Sequence, residues 1–222
     1  LRSPQLKITD LGYGPMHPDT QFSVRVAPAM VGLGLLEAIP EAAILANADP
    51  DDRNGDGISG RPNRVFDQVT RETSLGRFGW KAGQPNLNQQ NADAFFNDMG
   101  LTTSLLSGNS CTQAQTECLA MPDGGEPEVS DHILSLVLFY SRNLGVPARR
   151  NVDDPQVLAG KTLFHRAGCQ SCHIPKFTTG EAAEPELANQ VIRPYTDLLL
   201  HDMGEGLADH RPEFEATGRD WR

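Results

Sequence analysis

The run Cys169-Gln170-Ser171-Cys172-His173 constrains this chain more than any other five residues in it. Two thiols two residues apart, followed directly by an imidazole, make the C-x-x-C-H pattern of c-type haem attachment. The thiols can add to the two vinyl groups of one porphyrin, and the histidine beside the second thiol is then held under the iron as proximal ligand. The approach fits. Asp154 to Ala167 reads as a helix with Asp153 or Asp154 as N-cap, Pro155 in the first turn and Gly160, Leu163 and Phe164 leading into the motif. A thioredoxin-like dithiol would want a strand before the motif and a βαβ pattern near it, and neither is visible. A zinc site could recruit Cys169, Cys172 and His173 with His165 or His201, but a histidine adjacent to the second cysteine is awkward for tetrahedral chelation.

The iron's sixth ligand is less constrained. An electron carrier commonly uses Met or His there, whereas a catalytic haem keeps the side open. Downstream of the motif the donors are Met203, His201 and His210, with Tyr195 as a rarer option. Met203 leads because it follows His173 at a distance that permits return across the haem face; His201 comes second, and a ligand from outside this chain, or none, stays open.

Cys111 and Cys118 lie in a polar segment with no neighbouring histidine, which points to a local disulfide. Haem c is attached outside the cytoplasm, where such a bridge persists, so both cysteine pairs indicate a periplasmic or otherwise extracytoplasmic setting. The loop from Asp49 to Asn63 is dense in carboxylates and glycines. Within it Asp52, Asn54, Asp56 and Gly57 reproduce the first half of a calcium loop, and Asp49 and Asp51 could add oxygens. The twelfth position is Asn63 rather than a bidentate Glu, so a solvated Asx-rich turn competes with bound Ca2+.

The remaining elements follow from periodicity. Residues 28–48 suggest two short helices, broken by Gly32 and Gly34 and reopened at Pro40. Arg77 to Lys81 suits a short strand or aromatic anchors under a loop; a helix or buried knot also fits. Asn88 to Met99 can be a helix ended by Gly100, and Glu128 to Leu144 is the most regular one, with Val129, Ile133, Leu136, Val137, Tyr140 and Leu144 as its apolar stripe. A short helical stretch is expected near Leu187 to Val191. With 21 Gly and 16 Pro among 222 residues, the expectation is a mostly α chain with long irregular loops. It divides into a mixed helix and loop segment, 1–147, holding the acidic loop at 49–63, and a cytochrome c-like haem domain, 148–222, that is incomplete. A net charge of −10 disfavours nucleic acid and anionic membranes, and no apolar run approaches a membrane span. Because the chain begins at Leu1 rather than Met, an upstream portion is expected to have been removed or left out.

Several strings in one order carry a resemblance: GLGLLEAIP from Gly32, DPDDRNGDGISGRPNRV from Asp49, LGRFGWKA from Leu75, NDMGLT from Asn97, VPARR from Val146, GCQSCH from Gly168 and PYTDLLLHDMGEGLAD from Pro194. The chain resembles the di-haem oxidoreductase family, also described as thiol oxidoreductases, which is distantly similar to bacterial di-haem cytochrome c peroxidases. The resemblance implies two cytochrome c-like haem domains, a periplasmic setting and a peroxidase-type or other redox reaction. It also implies a first C-x-x-C-H upstream of Leu1 and an HDG and HGGEA-like tail beyond Arg222, so the chain looks like the middle of a longer protein. By family order the haem at His173 is the second, electron-delivering one, and any peroxidatic haem is the first. No catalytic acid or base can be named; Glu37 and Arg25 lie in a matching segment and read as structural.

The expected function is haem c-dependent electron transfer in the second-haem region of a periplasmic di-haem oxidoreductase. The alternatives are a non-catalytic electron carrier and a haem- or iron-handling binding protein. The expected partners are the missing second haem domain and a redox protein such as a small cytochrome, whose basic surface would suit the acidic one here.

Overall fold

The structure is a computed structural model and describes residues 5–222. Gly32, at φ 75°, opens α1 (Leu33–Glu37), and Pro40 precedes α2 (Glu41–Leu45). The two short helices expected from residues 28–48 therefore form. Gly34 is required by packing: a Cβ there would collide with the backbone carbonyl of Arg142, so α1 can lie directly on α5 (Asp131–Asn143). Asn86 caps α3 (Leu87–Met99) by accepting the N–H of Gln89 at 2.8 Å, and Gly100, at φ 71°, ends it. The remaining helices are α4 (Thr116–Ala120) and α6 (Pro155–Arg166), the latter capped by Asp154, whose carboxylate accepts from Gln156 N at 2.7 Å.

One charged knot ties the helical layer. Glu37 accepts from the N–H of Leu87 at 2.8 Å and from Arg142 Nε at 2.6 Å, joining α1, α3 and α5. Arg77 takes up the C-terminal carbonyls of α1, donating to Leu36, Glu37 and, at 2.6 Å, Ile39. The structural role expected of Glu37 is what the contacts show.

Strands are short and paired in twos. β1 (Arg64–Asp67) and β2 (Glu72–Leu75) form an antiparallel hairpin with Arg64 opposite Leu75 and Asp67 opposite Glu72. β3 (Phe177–Thr178) pairs with β4 (Val191–Ile192), and β5 (His201–Asp202) with β6 (Asp220–Trp221). One element was not expected, one reading narrows to one of its alternatives, and one changes. The hairpin at 64–75 was not expected from the sequence. Arg77 to Lys81 is a buried knot rather than a strand, with Phe78 bridged to Gln84 around Gly79 and 1% exposed. The helical stretch at Leu187 to Val191 is a single 3-10 turn at Pro185–Leu187 leading into β4.

The core crosses residue 147. Ile39, Ile44 and Leu75 pack with Phe177, Leu198 and Leu199, while Leu200 bridges Arg61 and sits with Ala82 and Ala216. Helices supply most of the regular structure and irregular chain supplies the bulk of the rest. The apolar stripe on α5 also differs from expectation. Leu134 and Ser141 are buried, whereas Ile133, Leu136 and Tyr140 face outward. The helix is apolar nearly all round, so periodicity alone leaves its buried face undetermined; the approach allowed by Gly34 and the Ser141 to Asn91 hydrogen bond select it.

Candidate haem site

α6 brings the chain to Gly168, whose φ of 75° turns it into one 3-10 turn at Cys169–Ser171. The N–H of His173 closes that turn on the carbonyl of Cys169 at 2.9 Å. Both thiols and the imidazole are therefore presented by a single tight bend, preceded by helix and by no strand. The His173 ring is oriented by the protein: Nδ1 lies 3.0 Å from the carbonyl oxygen of Tyr195. A neutral imidazole that donates from Nδ1 keeps Nε2 as a free lone pair, the state a metal requires. Tyr195 supplies that carbonyl from a left-handed backbone, φ 54°, which a non-glycine residue adopts at a cost of about 1–3 kcal/mol. Phe164 holds this corner, meeting the Tyr195 ring edge-on at 5.5 Å and lying 6.4 Å from the His173 ring.

Beside this turn opens a cavity of about 930 Å³, lined by Cys169, Cys172 and His173 together with Leu36, Trp80, Met203 and Trp221. That is at the upper end of the roughly 300–1,000 Å³ typical of small-molecule and cofactor sites. The two tryptophans meet edge-to-face at 6.4 Å.

The candidate sixth ligands are placed differently from one another. His201 is buried, with Nε2 2.8 Å from Asp197 Oδ2 and Nδ1 turned to the Cys172 sulfur at 3.9 Å. Gly60 makes room for it, since a Cβ there would lie 2.9 Å from the ring. Both of its nitrogens face protein groups. Met203 lines the cavity and is 48% exposed, its position set by the bond from its N–H to Arg219. His210 lies outside the cavity beside Glu205, His165 stands edge-on to Phe164, and Tyr195 contributes its carbonyl to His173.

The alternative chemistries find little support. Burial, and then the carboxylates of Asp197 and Asp56, push the Cys172 thiol up, the opposite of what a dithiol nucleophile needs. Among the described residues no group of three or more His, Cys, Asp or Glu side chains converges on a metal position. In the acidic loop Asp52 accepts the N–H of Gly57, Asn54 that of Asp56, and Asp56 that of Ile58, so these side chains serve the loop's own turns. Cys111 and Cys118 are paired as a disulfide, with Cα atoms 6.1 Å apart.

The sequence marks Arg25 only as structural and singles out neither Lys81 nor Asp197 as a site residue. Arg25 pairs with Asp209 and Glu213 and lies over Trp221, a structural role. Lys81 is fully buried, bonded to Asp209 and packed on the same ring. Asp197 orients His201; its place four residues before that histidine was the one cue available.

A bend that carries two thiols and an imidazole beside a cavity has the donor set of a haem-type cofactor site. The comparison with known families agrees: residues 13–222 match the family described as "Di-haem oxidoreductase, putative peroxidase", and the chain belongs to it. Neither the curated proteins nor the solved structures provide a match. Haem-linked redox function follows from the family; among the described residues no helix is long and apolar enough to cross a membrane.

Proposed function

We propose that the chain binds one haem c through thioethers at Cys169 and Cys172, with His173 as proximal ligand, and transfers electrons as the second-haem region of a periplasmic di-haem oxidoreductase of peroxidase type. The observation that supports this reading is the His173 Nδ1 contact with the Tyr195 carbonyl, which leaves Nε2 available to a metal beside a cavity that both cysteines line. When bound, haem supplies the one-electron chemistry. The chain's own residues do the rest. His173, its ring oriented by the Tyr195 carbonyl and kept in place by Phe164, would hold the iron, and the tryptophans and Leu36 would limit water at the porphyrin. Met203 remains the favoured sixth ligand, because both nitrogens of His201 already have neighbours. The residues from 148 onward would act as a cytochrome c-like haem domain that shares its core with 1–147. The acidic surface would receive a basic donor such as a small cytochrome, and the disulfide suits an extracytoplasmic compartment.

The test is a pyridine haemochrome spectrum with intact mass on denatured protein from a haem-maturing host. One haem that stays attached in the wild type, and is lost in the Cys169→Ala, Cys172→Ala double variant, is the expected result. Wild-type protein without attached haem would overturn the proposal.

A further inference from the structure

Among the described residues, one cation on the cavity wall is left incompletely bonded by the protein. Arg222, at the end of β6, lines it together with Cys169, Cys172 and His173. Its backbone N–H bonds to Trp80 O at 2.8 Å and its Nη1 to Arg77 O at 2.6 Å, which fixes the guanidinium. Its Nε is buried and has no partner. Among the described residues no carboxylate lies within ion-pair distance of it, although Asp197 is near enough to act on it through space. Burial accordingly pushes this guanidinium's pKa down.

The neighbouring donors and cations show how unusual this is. Arg25, also on the cavity wall, is paired with Asp209 and Glu213. Lys81 is paired with Asp209. The Trp80 indole N–H is spent on Val26 O and that of Trp221 on Leu207 O. The Asp197 carboxylate is engaged by His201 and by the N–H of Leu199. A buried donor left unbonded is costly, and so is a buried charge without a counter-charge. The missing component is therefore an anion with at least one oxygen acceptor, taken into the cavity. A carboxylate fits best, since the guanidinium fork matches two carboxylate oxygens.

We infer that Arg222 anchors a propionate of the haem, so that the same cavity that receives the porphyrin also neutralises its acidic edge. This rests on the haem c reading above and deepens it. Thioethers at Cys169 and Cys172 secure one edge, and the propionates leave the porphyrin at the other. Arg222 is then a positioning and potential-setting residue: a fixed positive charge near the iron favours the reduced, less positive cofactor.

The holoprotein and its Arg222→Gln and Arg222→Lys variants decide the matter, with pyridine haemochrome for attachment, far-UV circular dichroism for folding and spectroelectrochemical titration across pH. Haem should stay attached in all three proteins. The midpoint potential of Arg222→Gln should fall, and the pH at which the potential begins to change should rise, as the propionate loses its counter-charge. Arg222→Lys, which keeps the charge without the fork, should lie between the two; should Arg222→Gln fail to fold, an unchanged potential in Arg222→Lys overturns the assignment. So does a folded, haem-loaded Arg222→Gln with wild-type potential and pH profile. An acetate-dependent shift in the wild type that Arg222→Gln lacks would mean that Arg222 serves an exchangeable carboxylate, and would overturn the propionate as its partner. Absence of attached haem in the wild type would overturn the haem reading itself, and this inference with it.

Discussion

Replacing Lys81 with Met keeps most of the stem of a fully buried side chain and removes its charge. In the native protein Nζ lies 2.9 Å from Asp209 Oδ1, donates to Thr217 O at 2.8 Å and Asp220 O at 3.1 Å, and sits 4.5 Å from the centre of the Trp221 ring. Desolvation of the ammonium is thus offset by one counter-charge, two carbonyls and a ring face. Methionine can donate to none of them. Asp209, 9% exposed at its side chain, would keep Arg25 and Ser23 but lose its deepest partner, and two carbonyls would lose a donor. Removing one partner of a buried pair costs about 3–5 kcal/mol. The surviving Arg25 contact argues for the lower part of that range and the bared carbonyls for the upper, so about 4 kcal/mol is expected. For a chain of this size each kcal/mol corresponds to roughly 2–4 °C, which places the fall in Tm at roughly 8–16 °C. Urea unfolding followed by circular dichroism measures the free energy, and an unchanged m-value would show that the two end states are comparable. In the Lys81→Met, Asp209→Asn double variant the stranded carboxylate is gone, so the combined loss should be smaller than the sum of the single losses. A loss below about 1 kcal/mol in Lys81→Met would refute the reasoning, because it would mean the buried charge was barely better off than a thioether.

Acid should act on the same cluster. Burial alone would raise the Asp209 carboxyl, but hydrogen bonds from Ser23, Lys81, the Arg211 N–H and Arg25 outweigh it and hold the group well below the carboxylate range. The unfolded chain therefore takes up this proton first, and the contribution is present above the ordinary value of 3.8 and lost as pH falls through it toward the folded value. Asp209→Asn should unfold with a shallower dependence on pH between about 5 and 2 than the wild type, and equal slopes would count against the cluster. EDTA should leave Tm unchanged, because Asp52, Asn54 and Asp56 are engaged by the loop's own N–H groups; a rise in Tm on adding calcium would show that the loop holds a cation after all.

Legibility in the sequence followed the range of the interaction involved. α3 and α6 could be read within a few residues because caps and breakers act locally, Asp154 accepting from Gln156 and Gly100 closing α3, while α5 was legible from its run of apolar residues and begins later than expected, after Ser130. Local periodicity failed where several answers satisfied it. On α5 the apolar residues run nearly all the way round, and the buried side was chosen by Gly34 and Asn91, which lie far away in the chain. The β1–β2 hairpin was missed because Arg64 to Leu75 lacks an alternating apolar pattern.

The same division runs through the site. The sequence by itself determined which atoms could hold a cofactor, because Cys169, Cys172 and His173 act at a spacing that one turn of backbone enforces. Tertiary structure decided how those atoms are oriented and what surrounds them. The carbonyl orienting His173 comes from Tyr195, and the guanidinium of Arg222 is held by Arg77. These partners meet only when distant segments pack together, and no spacing along the chain records such an encounter.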